Sequence, residues 1–174
     1  MDVEQVHSNP QVCAASPKAS SLNRLPISHE QSFRTRATAG DTEELVRQYL
    51  AAYNEQDLDA IKGLWTDSLV YNGERIGPEE FEALHKSYWG AFPDINAEIT
   101  HVVSEGEQVA VRLMFEGTGE GEYLGHDVDG KNFRVSEIAI FHVSDGKLDE
   151  YWFQFDELGL WSQLGVLERP YPEE

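Results

Sequence analysis

Asp156 closes the run from Leu148 to Asp156, with Phe155 beside it and Trp152 four positions back, so a carboxylate stands at the end of an aromatic-rich segment. A carboxyl group placed among apolar rings loses hydration, which raises its pKa and lets it give or take a proton near neutrality. His142 precedes it by fourteen residues, across the turn Ser144-Asp145-Gly146-Lys147. Two runs rich in apolar and β-branched residues around an Asp-Gly turn predict a β-hairpin. Counting alternately, Asp156, Gln154, Trp152 and Glu150 share one face of the second strand, while Phe155, Phe153, Tyr151 and Asp149 share the other. The second set is the more apolar, so the pattern alone leaves open which face meets the core. Aspartate is also a preferred N-cap, and Asp156 precedes a helix expected from Glu157; acid/base and capping roles are compatible. His142 reads equally well as a water-exposed histidine at a hairpin end.

The elements that must position these groups follow from periodicity. Asp41 and Glu44 resemble a capping box, and Leu45, Val46, Tyr49, Leu50 and Tyr53 recur at helical spacing to about Asn54. Asp57 caps a shorter helix carrying Leu58, Ile61, Leu64 and Trp65. Gly77-Pro78-Glu79-Glu80 opens a third, with Phe81, Leu84, His85 and Tyr88 on one face before Phe92-Pro93-Asp94 ends it. From Ile95 the period changes to two, predicting strands over Ile95 to Val103, Gln108 to Phe115, Glu122 to His126, Phe133 to Val143 and Leu148 to Asp156. Three helices followed by antiparallel strands give an α+β class.

The 174 residues suit one domain, read here as residues 41–170 behind an N-terminal extension of residues 1–40. That extension is rich in Ser, Pro, Ala, Asn and Arg without an apolar face, the composition of a disordered segment. Its net charge is +1, whereas the remaining 134 residues hold 29 acids and 9 bases, a net of −20. Such a field repels phosphate backbones and anionic headgroups, which excludes nucleic acid and membranes as expected partners. Only four lysines follow residue 40, the balance of a protein adapted to high salt. Cys13 is the single cysteine, so no intrachain disulfide forms. No apolar run approaches the roughly 18 residues of a membrane span and no signal-peptide core is present, so a cytoplasmic location is expected. His85, His101, His126 and His142 show no metal-ligand spacing, and the glycines between Gly117 and Gly125 do not follow a strand and open a helix as a nucleotide loop does. Trp65, Tyr88, Trp89, Phe92, Trp152 and Trp161 read either as core or as walls for a flat ligand.

The series Gly117-Thr118, Gly121-Glu122-Tyr123, Gly125, Gly130-Lys131, Asp145-Gly146-Lys147-Leu148, Glu150, Trp152, Asp156 and Gln163-Leu164-Gly165 resembles the SnoaL-like polyketide (ester) cyclase family of the NTF2-like superfamily. Gly77-Pro78 with Phe81, Phe92-Pro93-Asp94 and Glu105 to Ala110 fit the same pattern in order, so the similarity spans about Asp41 to Leu167. The resemblance implies an NTF2-like cone, in which N-terminal helices pack on a strongly curved antiparallel or mixed sheet enclosing a pocket. It points Asp156 into that pocket as general acid/base, supported by His142. Gln154 and Trp152 then become pocket residues with Tyr71, Trp89 and Phe92, and Tyr71 stands where the family often has histidine. Gly119 is a departure, since a histidine is common there.

The expected activity is cofactor-independent, metal-free acid/base cyclisation of a small, apolar, carbonyl-containing molecule by a homodimer. Isomerisation or hydrolysis would use the same parts. A non-catalytic ligand-binding or dimerisation module on the same scaffold is the alternative.

Overall fold

A computed structural model describes residues 38–167; the expected extension lies outside them except for its last three residues. Those three open the first helix. Thr38 caps α1 (Ala39–Asn54): its hydroxyl accepts from the Asp41 amide at 3.3 Å, and the Asp41 carboxylate accepts from the Thr38 amide at 3.1 Å. The reciprocal box is therefore Thr38–Asp41, one turn earlier than Asp41–Glu44. As expected, Asp57 caps α2 (Leu58–Leu64) by accepting from the Ala60 amide at 2.9 Å. Pro78 likewise begins α3 (Pro78–Ala91), where the Glu80 carboxylate accepts from the Gly77 amide at 2.9 Å.

Two strands between α2 and α3 have no counterpart in the periodicity. β1 (Trp65–Tyr71) and β2 (Glu74–Ile76) form a hairpin turned by Asn72-Gly73, with φ of 49° and 90°. Trp65 thus starts a strand instead of ending a helix. β1 pairs in parallel with a strand some eighty residues later, a non-local partnership that local pattern does not reveal.

The remaining strands are β3 (Asn96–Glu105), β4 (Gln108–Thr118), β5 (Glu122–Tyr123), β6 (His126–Asp127), β7 (Asn132–Ser144) and β8 (Lys147–Phe155). β5 and β6 make a separate small hairpin around Leu124-Gly125, replacing the single strand expected from Glu122 to His126. The main sheet has the order β2-β1-β8-β7-β4-β3, antiparallel except for β1 on β8. Helices cover one face of this open, mixed sheet, which bears out the α+β class and the helix-on-sheet architecture. A final helix, α4 (Glu157–Gln163), returns against β7.

β7 alternates strictly. Phe133, Val135, Glu137, Ala139, Phe141 and Val143 are buried, while the residues between them face outward or are half-covered. The same parity on β8 turns Tyr151, Phe153 and Phe155 inward, and Trp152 and Gln154 outward. Side-chain clamps fix the helices to this frame. The Asn54 amide brackets Ala97 by donating to its carbonyl at 2.9 Å and accepting from its N–H at 2.8 Å. Gln163 treats Arg134 in the same way, at 3.1 and 2.8 Å.

Gly119 sits where the backbone of its own loop passes close by. A Cβ there would lie 2.1 Å from the Val128 carbonyl oxygen, so the 119–131 loop closes on itself only around glycine. Gly119→Ala is expected to destabilise the fold by about 2 kcal/mol or more, because the colliding partner is backbone and cannot rotate away. Urea unfolding of the variant measures it; an unchanged midpoint would show that the loop takes another path.

Candidate active site

A concavity opens between α1, α3 and the inner face of the sheet. Its volume is about 60 Å³. Most of the wall is aromatic: Tyr53 from α1, Tyr71 from β1, Tyr88 from α3, Phe115 from β4 and Phe153 from β8 are representative. Two polar pairs interrupt it.

The first pair is Glu137 with Tyr151. Glu137 occupies a core position of β7 and is 5 % exposed. Tyr151, on β8, donates its hydroxyl proton to Glu137 Oε1 at 2.5 Å. Burial pushes the Glu137 carboxyl up to about 7, only partly opposed by the Tyr151 hydrogen bond that favours the charged form. Burial also raises Tyr151 well above the usual phenol range, and the neighbouring Glu137 charge adds to this, so the phenol stays protonated. Oε1 is occupied, while Oε2 makes no hydrogen bond to a described residue and belongs to a side chain that lines the cavity. The site therefore offers one carboxyl oxygen that can carry or accept a proton near neutral pH.

The second pair is Tyr49 with His85. His85 Nδ1 lies 2.8 Å from the Phe81 carbonyl oxygen, which can only accept, so Nδ1 carries the hydrogen. Nε2 is then the acceptor for the Tyr49 hydroxyl at 3.2 Å. Burial lowers the His85 pKa, so the ring stays neutral in this tautomer, hemmed by Phe81 at 4.3 Å and Trp89 at 5.3 Å between centroids.

The residues expected from the sequence divide between cavity and surface. Tyr71 and Phe92 line the cavity. Trp89 is buried behind it, packed on Tyr53 and His85. Asp156 lies outside the lining: its Oδ1 accepts from the Gly159 amide at 2.8 Å, so the carboxylate caps α4. The packing is close, because a Cβ on Gly159 would come within 2.1 Å of Asp156 Oδ2. His142 is on the outer face, where Nδ1 meets Asp149 Oδ1 at 2.7 Å instead of approaching Asp156. Trp152 is also outward and gives its indole N–H to Glu150 Oε2 at 3.1 Å. Gln154 is exposed and donates to the Phe153 carbonyl at 3.0 Å. Trp152 and Gln154 face outward because the more apolar set of β8 faces the core, His142 follows the outward parity of β7, and Asp156 lies past the strand as the cap of α4. Among the described residues, no group of three or more His, Cys, Asp or Glu side chains is arranged to hold a metal ion. No described helix is long and apolar enough to cross a membrane.

Glu137 and His85 were legible without being read. In Phe133-Val135-Glu137-Ala139-Phe141-Val143 a single carboxylate interrupts an otherwise apolar alternating face, and His85 does the same on the helical face Phe81-Leu84-Tyr88.

Raised from 4.5 to about 7, the Glu137 carboxyl makes a pH-dependent contribution to stability. The unfolded chain ionises first, so this contribution is present below about pH 4.5 and is lost as the pH rises through about 7. Glu137→Gln removes that dependence. Its stability relative to the native chain should therefore rise across this interval by roughly 3 kcal/mol, measured by denaturant unfolding at a series of pH values. A stability difference that stays flat with pH would show that Glu137 is solvated.

With this geometry in place, comparison with known proteins is specific. The SnoaL-like polyketide cyclase family model matches residues 43–164. The aklanonic acid methyl ester cyclase DnrD of Streptomyces peucetius is 29% identical over 136 residues, covering 74% of this chain and 92% of that protein. The structure of TsrD from Streptomyces laurentii superposes with a TM-score of 0.69 at 30% identity, over 75% of this chain and 99% of TsrD. That of AclR, a proposed hydroxylase from Streptomyces galilaeus, gives 0.70 at 25% identity, over 76% and 89%. With the family match running from the first helix through the last, the chain belongs to the SnoaL-like polyketide cyclases.

Proposed function

We propose that the cavity cyclises an apolar, carbonyl-rich molecule of polyketide type by intramolecular carbonyl condensation, with Glu137 as general acid/base in place of Asp156. The observation that carries this is a carboxyl buried on an aromatic wall, with one oxygen held by Tyr151 and the other without a hydrogen bond to any described residue. Ionised Glu137 takes a proton from carbon next to a carbonyl, and the C–H electron pair moves to give an enolate. The enolate carbon attacks a second carbonyl of the same molecule, forming the ring C–C bond. The new alkoxide takes the proton back from Glu137. Reactant and product are isomers, so this chemistry requires no redox cofactor. One bound chain, one proton carrier and restricted motion are sufficient. DnrD and DauD, both aklanonic acid methyl ester cyclases, make a polyketide ester the first substrate to test.

The outer face of the sheet supports a homodimer as the working assembly. Cross-strand register aligns Val103, Ala110, Ile140 and Trp152 in one row across β3, β4, β7 and β8, with Ile138 in the next row. Val103 is 72 % exposed and Ile138 60 %, a level of apolar exposure that a second copy meeting the same face would relieve.

Two experiments test these readings. Glu137→Gln should lower turnover ~100-fold or more, while Asp156→Asn, which keeps a capping oxygen, should retain most of it. The native kcat/KM should rise with pH through about 7, because the free enzyme must ionise Glu137 to act as base. The reverse ranking of the two variants would return the acid/base role to Asp156, and ligand binding without turnover by the native chain would favour the non-catalytic module. For the assembly, Ile140→Lys should shift a sedimenting dimer to monomer without loss of folding, since the side chain faces away from the cavity. A native monomer at high micromolar concentration would remove the dimer reading.

A further inference from the structure

Five tyrosines line the cavity, and their hydroxyl protons are unequally committed. Tyr151 gives its proton to Glu137, and Tyr49 gives its own to His85. Tyr88 is hydrogen-bonded to Tyr123. The Tyr53 and Tyr71 hydroxyls make no hydrogen bond to any described residue. Among the described residues the fully enclosed unpartnered polar side-chain atoms are the indole nitrogens of Trp65 and Trp89, and neither hydroxyl is with them. A hydroxyl that is neither partnered nor enclosed opens on the space its side chain lines, so these two phenols present free donors to the cavity.

Both are held rigidly and from different sides. The Tyr53 ring, on α1, packs against Trp89 at 5.7 Å and Phe115 at 6.0 Å between centroids. The Tyr71 ring, on β1, packs against Tyr151 at 5.5 Å and Phe153 at 5.0 Å. Glu137 lies on β7 and its charge acts on both hydroxyls.

We propose that Tyr53 and Tyr71 form a two-phenol oxyanion site, which binds the oxygen of the enolate made at Glu137 and selects ligands bearing a carbonyl next to an acidic carbon. This rests on the reading of Glu137 as the base. As the C–H pair moves onto the carbonyl, negative charge collects on oxygen. Donors already aimed at it in a water-poor cavity stabilise it without reorganising. Burial raises both phenols far above neutrality, so they donate hydrogen bonds and keep their protons. Tyr151 and Tyr49 cannot take this part while their protons serve Glu137 and His85.

A phenolate has the charge and oxygen of the enolate, so 4-nitrophenol is the probe and its visible phenolate band the readout. The background is Glu137→Gln, whose neutral amide represents the carboxyl after it has taken the proton. Binding should enhance the phenolate band, showing capture of the anion. Tyr53→Phe and Tyr71→Phe in this background should each weaken binding about tenfold, the scale of one hydrogen bond to a charged oxygen. Nitrobenzene, which keeps the ring and lacks the hydroxyl, should bind all three proteins alike. Thermal unfolding checks that each variant is folded. Binding as the neutral phenol would overturn the proposal, as would equal losses for nitrobenzene or indifference to both tyrosine changes. Failure of Glu137 as base is distinguishable, because it appears as retained turnover in Glu137→Gln, whereas this assay reads anion binding with that carboxyl already removed.

Discussion

A carboxyl group can hold a core position of a β-strand only if something replaces its lost hydration, and Glu137 sets that condition for the surrounding structure. One oxygen is satisfied by Tyr151, reaching from the adjacent strand along the inner face. The rest of the environment is aromatic, so the charged form is disfavoured and the proton is shared with solvent near neutrality. The register of β7 on β8 is therefore functional as well as structural. A slip of one residue would turn Glu137 outward with Ile138 replacing it, and would carry the whole ladder of Phe133, Val135, Phe141 and Val143 into water.

That parity also separates what the sequence disclosed from what it concealed. Helix starts were legible where chemistry is local: Asp57 and Gly77-Pro78 mark their caps within three residues. The first cap was misplaced by a turn because Thr38–Asp41 and Asp41–Glu44 both have capping-box spacing, and only contact with the fold distinguishes them. β1 was invisible because its partner is far along the chain and its Thr66-Asp67-Ser68 stretch breaks alternation. The position of Asp156 was misjudged for a different reason. The alternation of β8 left two faces open, and the more apolar one, with Tyr151, Phe153 and Phe155, was the better physical choice for the core.

Several residues that carry the family resemblance serve the frame of the site. Asp156 caps α4, Gln163 ties that helix to Arg134, and Asp94 accepts from the Thr118 amide at 2.6 Å. Such residues make the same scaffold recur while the cavity wall remains free to vary. Membership of the family and the detail of the reaction are thus encoded by different positions, and the second must be argued from the wall itself.

The size of the concavity joins these two levels. The cavity holds about 60 Å³, room for a few waters. A ligand of polyketide size exceeds this volume, so it fits only if most of it lies outside the cavity and its reacting carbonyl reaches inward to Glu137. Rings at the rim then supply sequence-tolerant apolar contact, and orientation falls to the few polar atoms at depth. Tyr123 supports the lining residue Phe92, packing on it at 5.1 Å and stacking on Trp161 at 5.7 Å. The loop that Gly119 allows to close therefore backs a wall residue, Phe92, from behind, which ties the geometry of a single glycine to the support of the ligand site.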